Sequence, residues 1–110
     1  MNIETIKELA PDLSSEFPRS PRETLGGYVA AARTLDKCRA KLNGTLGDYY
    51  FDCPLDNEFL GFAEISTDAF KDFVATGASD DEVAAWIGKN AKDRPRIEVI
   101  HWNNKMRSLR

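Results

Sequence analysis

The apolar positions of this chain recur mostly at helical spacing, and the breaks between runs fall at Gly, Pro and capping residues. A weak first run over residues 2–10 brings Ile3, Ile6 and Leu9 to one face and stops at Pro11. Next, Ser20-Pro21-Arg22-Glu23 has the composition of a capping box with proline at the first helical position. It predicts a helix running to about Leu42, with Gly44 as a left-handed stop. Gly26 and Gly27 interrupt its early turns, each costing about 1 kcal/mol against alanine, so another segment should approach closely there. Shorter helices are predicted over 57–63 (Phe59, Leu60, Phe62) and 67–76 (Phe70, Phe73, Val74), the latter stopped by Gly77. A second capping box, Ser79-Asp80-Asp81-Glu82, opens a helix to about Asn90 with Val83, Trp86 and Ile87 facing inward.

Two stretches resist the helical pattern. Residues 96–102, RIEVIHW, are β-branched enough for a strand. Yet Pro95 suits a first helical position, Val99, Trp102 and Met106 share one helical stripe, and Ile97, Ile100 and Asn104 share the next. The polar tail NNKMRSLR is not strand-like, which favours helix over 94–110. Residues 44–54, GTLGDYYFDCP, read as extended, so that Tyr49 and Phe51 face one way and Tyr50 the other. The expected fold class is mainly α: a compact helical domain with one long central helix, three to four shorter helices and one extended Gly/Tyr-rich segment.

Composition narrows the class. A chain of 110 residues makes one domain, 1–110, long enough for a real core, with 1–17 as a loosely packed N-terminal segment. No apolar run is long enough to span a bilayer, and the first residues lack the basic and apolar regions of a signal peptide. A cytoplasmic, soluble protein with reduced thiols is the expectation. Cys38 and Cys53 form no CxxC pair and His101 is the only histidine, so neither a Cys/His metal site nor a cofactor is expected.

Net charge is only −3, but it is unevenly spread. Residues 19–41 hold six basic and two acidic side chains, 48–82 one basic and ten acidic, and 89–110 seven basic and two acidic. An acidic middle folding against two basic arms explains this, and the lack of basic–aromatic alternation argues against nucleic acid. A small anionic ligand or a protein partner fits better.

The candidate chemistry clusters in residues 35–56. On a helical wheel, Asp36 and Arg39 fall inside the apolar arc with Leu25, Tyr28, Leu35 and Leu42, whereas Arg33, Lys37 and Lys41 fall on the face expected to be solvated. Charges at core positions must be paired. One reading is a structural ion pair tying the loop after Gly44 to the helix. The other is a ligand pocket of Asp36, Arg39 and Tyr28, with Tyr49 and Tyr50 as its lid. Arg19, Ser20 and Arg22 surround the predicted helix N-terminus, where free amides favour an anion.

The Cys53-Pro54 pair suggests a nucleophile or haem ligand, but a catalytic thiol needs a base. His101 is far away in sequence, and flanking Asp52 and Asp56 oppose a thiolate. Packing for Cys53, and helix capping for Asp56, are the simpler readings. A small enzyme using Asp52, Cys53 and Asp56, with His101, is the alternative to a binding module.

Four ordered blocks, PRSPRETLGGY (18–28), ARTLDKCRAKLNGTLGDYYFD (32–52), LGFAEISTDAFKDFVATGASDDEVAAWI (60–87) and RPRIEVIHWNNKM (94–106), resemble a small bacterial family of uncharacterised proteins, the domain of unknown function 5069 family. The resemblance covers most of the chain from Pro18 on. It implies a compact, mainly helical domain and supports helix from Arg94 onward. It transfers no catalytic residue.

Overall fold

The structure, a computed structural model, describes residues 1–108. Helices α1 (Ile3–Leu9), α2 (Ala31–Asn43), α3 (Pro54–Ala63), α4 (Thr67–Val74), α5 (Asp80–Asn90) and α6 (Arg96–Ser108) make up most of it. A minimal antiparallel hairpin, β1 (Thr24–Leu25) and β2 (Tyr28–Val29), precedes α2, with Thr24 opposite Val29 and Leu25 opposite Tyr28. No helix among the described residues is long and apolar enough to cross a membrane.

The hairpin corrects the expected long helix. Gly26 (φ +61°) and Gly27 (φ +89°) are the two central residues of its turn. Positive φ at both positions is what a tight two-residue hairpin demands and what a helix forbids. The space is also tight at 26: a Cβ there would lie 3.2 Å from the Ala84 carbonyl oxygen and 3.3 Å from Ile87. The close approach expected at these glycines is therefore real, but it is a turn against α5. Ser20-Pro21-Arg22-Glu23 is not a helix cap. It forms a turn in which the Glu23 amide donates to the Ser20 carbonyl and the Arg22 amide to the Ser20 hydroxyl.

What remains of the long helix, α2, is no longer than α6, at 13 residues each. It is nevertheless the centre of the fold, since nine of its residues are buried, from Ala31 to Ala40. It begins behind a left-handed Ala30 (φ 68°) and ends at left-handed Gly44 (φ 73°), whose amide donates to Ala40 and Lys41. The expected solvated face of Arg33, Lys37 and Lys41 is mostly absent. Lys41 is exposed, but Arg33 is half-buried and Lys37 buried, because neighbouring elements cover α2 on nearly every side.

The other helices start and stop on local signals. Ser66 and Ser79 cap α4 and α5, and Glu82 completes the box by accepting from the Ser79 amide. At α3 the N-cap is Cys53 rather than Asp56, which sits three residues inside the helix and accepts from the Cys53 amide. The final segment is helical over Arg96–Ser108; residues 109 and 110 lie outside the described residues.

Residues 44–53 are not an extended strand. They form successive turns, with the Tyr49 amide donating to the Leu46 carbonyl. Phe51 is buried, Tyr49 is half-buried under the Arg33 guanidinium and Tyr50 is exposed. Gly47 lets the segment lie directly on the chain before α2: a Cβ there would meet the Leu13 carbonyl oxygen at 2.8 Å. In the N-terminal segment, Ile6 and Leu13 are buried, and the Leu13 amide donates to Thr45.

The core joins Leu35 and Cys38 of α2 to Phe59 and Leu60 of α3, Phe70 and Val74 of α4, and Val83 and Ile87 of α5. An aromatic layer caps one end. Phe62 and Trp102 stack at 4.6 Å, and Tyr28 meets both edge-on. Asn103 fixes α6 to the hairpin by accepting from the Val29 amide and donating to the Gly27 carbonyl.

Candidate functional site

Three polar clusters contain the candidate residues. The first is built on α2. Asp36 and Arg39 are buried but do not pair with each other. Asp36 accepts from the Arg19 amide at 2.8 Å and from the Arg19 guanidinium through both oxygens. Arg19 also binds Asp80 at 2.7 Å, and Asp80 binds Arg39 at 2.7 Å. Arg39 further donates to the Ala78 carbonyl at 2.8 Å. The result is an alternating chain, Asp36–Arg19–Asp80–Arg39, tying the segment before the hairpin and the start of α5 to α2.

Its electrostatics follow from that order. Burial raises the Asp80 pKa, but hydrogen bonds from Arg19 and Arg39, with their charges, outweigh this and hold the carboxyl below its ordinary value. Arg19 moves the opposite way: burial opposes its charge, and Asp36 and Asp80 outweigh the burial. Among the described residues, Arg39 Nε is buried without a hydrogen-bond partner, as is Arg33 Nε.

The second cluster lies on another face of α2. Lys37 Nζ is 2.9 Å from Asp56 Oδ2 and donates to Cys53 Sγ at 3.0 Å. Asp56 Oδ1 accepts from the Thr34 hydroxyl at 2.8 Å, and Oδ2 also accepts from the amides of Asp52 and Cys53. Thus Asp56 is a fully buried acceptor that organises the start of α3 around a buried ammonium. Asp52 is separate: its carboxylate is exposed and accepts from Asn57 and Thr67. His101 is exposed on α6 and makes no hydrogen bond to Cys53 among the described residues. Cys38 is buried and its thiol is pushed up to about 12, chiefly by burial; both cysteines are free thiols.

The third cluster is a cleft of about 710 Å³ between the hairpin turn, the end of α5 and the start of α6. Gly26, Gly27 and Tyr28 form one wall, Gly88 and Lys89 another, and Arg96, Val99, Ile100 and Asn103 the third. Ala91, Lys92, Asp93 and Arg94 close it. Four cations against one carboxylate give the lining a charge of +3. Arg94 is held in place, stacked over Phe62 at 4.2 Å, hydrogen-bonded to the Phe62 carbonyl and Glu98, and paired with Glu64 at 3.6 Å. Lys92 pairs with Glu64 at 3.0 Å. Lys89 and Arg96 form no ion pair among the described residues. Burial pushes the Tyr28 phenol up, opposed by the charge of Arg94.

The structure therefore separates residues that the wheel had grouped. Tyr28 lines the cleft; Asp36, Arg39, Tyr49 and Tyr50 do not. Arg19, Ser20 and Arg22 flank no helix N-terminus, because the helix begins at Ala31, and the Arg19 side chain is taken by Asp36 and Asp80. Among the described residues, no group of three or more His, Cys, Asp or Glu side chains is placed to hold a metal ion.

The family model described as "Domain of unknown function (DUF5069)" matches residues 15–110. The chain belongs to the DUF5069 family. No curated protein matches it. The DUF5069 match spans the charge network, both cysteines and the whole cleft, and leaves out α1. Within this DUF5069 chain, sequence reasoning missed Lys89, Lys92, Arg94 and Arg96 as one group. Their signal was present as the basic excess after residue 89, and the Gly-Gly turn that completes the cleft was visible too.

Proposed function

We propose that this DUF5069 domain is a binding module for a small anionic ligand bearing phosphate or carboxylate groups, held in the cleft between the hairpin turn, α5 and α6. The supporting observation is a concavity of about 710 Å³, within the size range of ligand sites, whose lining holds four cations and one carboxylate. Unpaired cations beside a low-dielectric wall attract anions more strongly than the same cations on an open surface. Lys89 and Arg96 are available for charge-assisted hydrogen bonds. Arg94 is fixed by Phe62 and Glu98, so its charge shapes the wall while the direct contacts fall to Lys89 and Arg96. Val99, Ile100 and Tyr28 offer apolar surface to the rest of a ligand.

The cleft is preferred to the Asp36–Arg39 face for a physical reason. Asp36 and Arg39 spend their charge on Arg19 and Asp80, so a ligand would have to displace protein partners already in place.

The test is a thermal-shift titration with inorganic phosphate, pyrophosphate and citrate, at constant ionic strength, followed by calorimetry. A ligand at a hundred times its Kd stabilises the fold by about 2.7 kcal/mol, a clear rise in midpoint. The double variant Lys89→Glu, Arg96→Glu should keep its unliganded stability within about 0.5 kcal/mol and lose the ligand-induced rise. An unmoved wild-type midpoint, or equal shifts in both proteins, would overturn the reading.

A further inference from the structure

The Lys37–Cys53 contact lies outside the cleft and is independent of the anion-binding reading. Two features of it are poor choices for stability alone. Lys37 is buried, with its side chain only 4% exposed, and it directs one of its three donors at a thiol sulfur, a weak acceptor. Cys53 occupies an N-cap, where Ser, Thr, Asp or Asn would serve the helix better. An apolar pair of similar volume would fill the space without dehydrating an ammonium. The Lys37 ammonium is the side-chain donor the sulfur meets.

The carboxylates do not intervene between them. Asp56 holds the same ammonium, with its oxygens committed to Lys37, Thr34 and two amides, one of them that of Cys53. Asp52 is turned outward to Asn57 and Thr67. Cys53 is half-buried, whereas Cys38 is fully buried with its thiol pushed up to about 12. A small oxidant therefore meets one half-buried cysteine with a nitrogen at 3.0 Å from its sulfur.

We propose that Lys37 and Cys53 form an oxidant-gated covalent link between α2 and the N-terminus of α3, a sulfur–nitrogen bond made on exposure to a peroxide. In the first step the Cys53 sulfur attacks the peroxide: an S–O bond forms, the O–O bond breaks and hydroxide leaves. Sulfur is oxidised by two electrons to a sulfenic acid, and the peroxide is reduced. The hydroxide takes a proton from the Lys37 ammonium. The free amine then attacks the sulfur, the S–N bond forms, the S–O bond breaks and water departs with a proton from the nitrogen. Thiol, ammonium and peroxide thus give the linked pair, two waters and a proton. A sulfenic acid is known to condense with a backbone nitrogen; here a side-chain nitrogen is already beside the sulfur. Excess thiol reverses the link by attacking sulfur and releasing the amine.

The experiment treats the full chain with a small molar excess of hydrogen peroxide and compares intact mass, peptide maps and thermal midpoint with and without later thiol reduction. The expected product is lighter by two hydrogen atoms, gives a joined peptide pair containing Lys37 and Cys53, melts at a higher temperature and reverts with thiol. A Cys38–Cys53 disulfide has the same mass change, so the variant Cys38→Ala is run in parallel and should still form the link. Cys53→Ser, which supplies a better cap, should fold and form none. The proposal is overturned if Cys53 stays reduced, advances to sulfinic acid without the link, or loses its mass change in Cys38→Ala.

Discussion

The α2 network and the α5–α6 cleft use the same kinds of charged side chain to opposite ends. On α2, Asp36 and Arg39 are each met by counter-charges from distant segments, and the signs alternate along Asp36–Arg19–Asp80–Arg39. Around the cleft, the cations outnumber the carboxylates, and Lys89 and Arg96 line the cavity and form no ion pair among the described residues. A buried charge without its partner pays its full dehydration cost, so breaking the first arrangement destabilises the fold. A charge at the edge of an open cavity stays hydrated and can be left unpaired at little cost. Position against solvent, not residue type, separates a charge that holds the fold from one free to hold a ligand.

Breaking the α2 side should cost most. Asp56→Ala removes the counter-charge of the buried Lys37 and the acceptor of Thr34 and two amides; a loss of about 3–5 kcal/mol is expected in urea unfolding. A loss below about 1 kcal/mol would mean that Lys37 finds water when its partner goes. Arg39→Met keeps the volume but leaves the Ala78 carbonyl without its donor, for about 1–3 kcal/mol. It should not alter any phosphate-induced thermal shift; if it does, network and cleft are coupled and the contrast between them fails.

A backbone test is sharper than it is large. Gly26→Ala places a side chain at positive φ and against α5, and should destabilise by about 1–2 kcal/mol. Gly27→Ala has the same backbone problem but open space, and should cost less. Equal losses would show that the wall of the cleft yields to a methyl group.

The smallest effect is a pH dependence. Asp80 has a lowered pKa in the fold, so its contribution is complete above the ordinary value of 3.8 and disappears as pH falls through the lowered one. Wild type should exceed Asp80→Asn in stability at neutral pH, and the gap should begin to narrow as pH falls below about 4. Because the Asp80 side chain is 44% exposed, salt should narrow the gap as well. A gap that persists unchanged at pH 2 would show that its hydrogen bonds, not its charge, matter.

The legible parts of this fold were the ones written in neighbouring residues. Ser79 and Glu82 cap α5 as their spacing requires, and Pro95 with the Val99–Trp102–Met106 stripe resolves the last segment as helix. The misreading at Ser20–Gly27 came from two local patterns that overlap. Ser-Pro-Arg-Glu matches a helix start, while Leu-Gly-Gly-Tyr matches a two-residue hairpin, and only one can hold. The pair of positive-φ glycines decides it, since a turn uses their freedom and a helix wastes it. Asp56 went to the wrong capping position for a related reason: with Pro54 at the first helical position, the cap falls on Cys53.

By itself, then, the sequence determined a mainly helical domain, the order of its helices and the burial of Asp36 and Arg39 on α2. Those features depend on periods and caps only a few residues long. Tertiary structure decided which charges meet: Arg19 reaches Asp36 across 17 residues and Asp80 across 61, and Lys37 reaches Cys53 across 16. It also decided where the cations remain unspent, by bringing the hairpin turn against the α5–α6 corner. No local period encodes such pairings, because a charge selects its partner by distance and dehydration in the folded state, and those exist only once the chain has closed on itself.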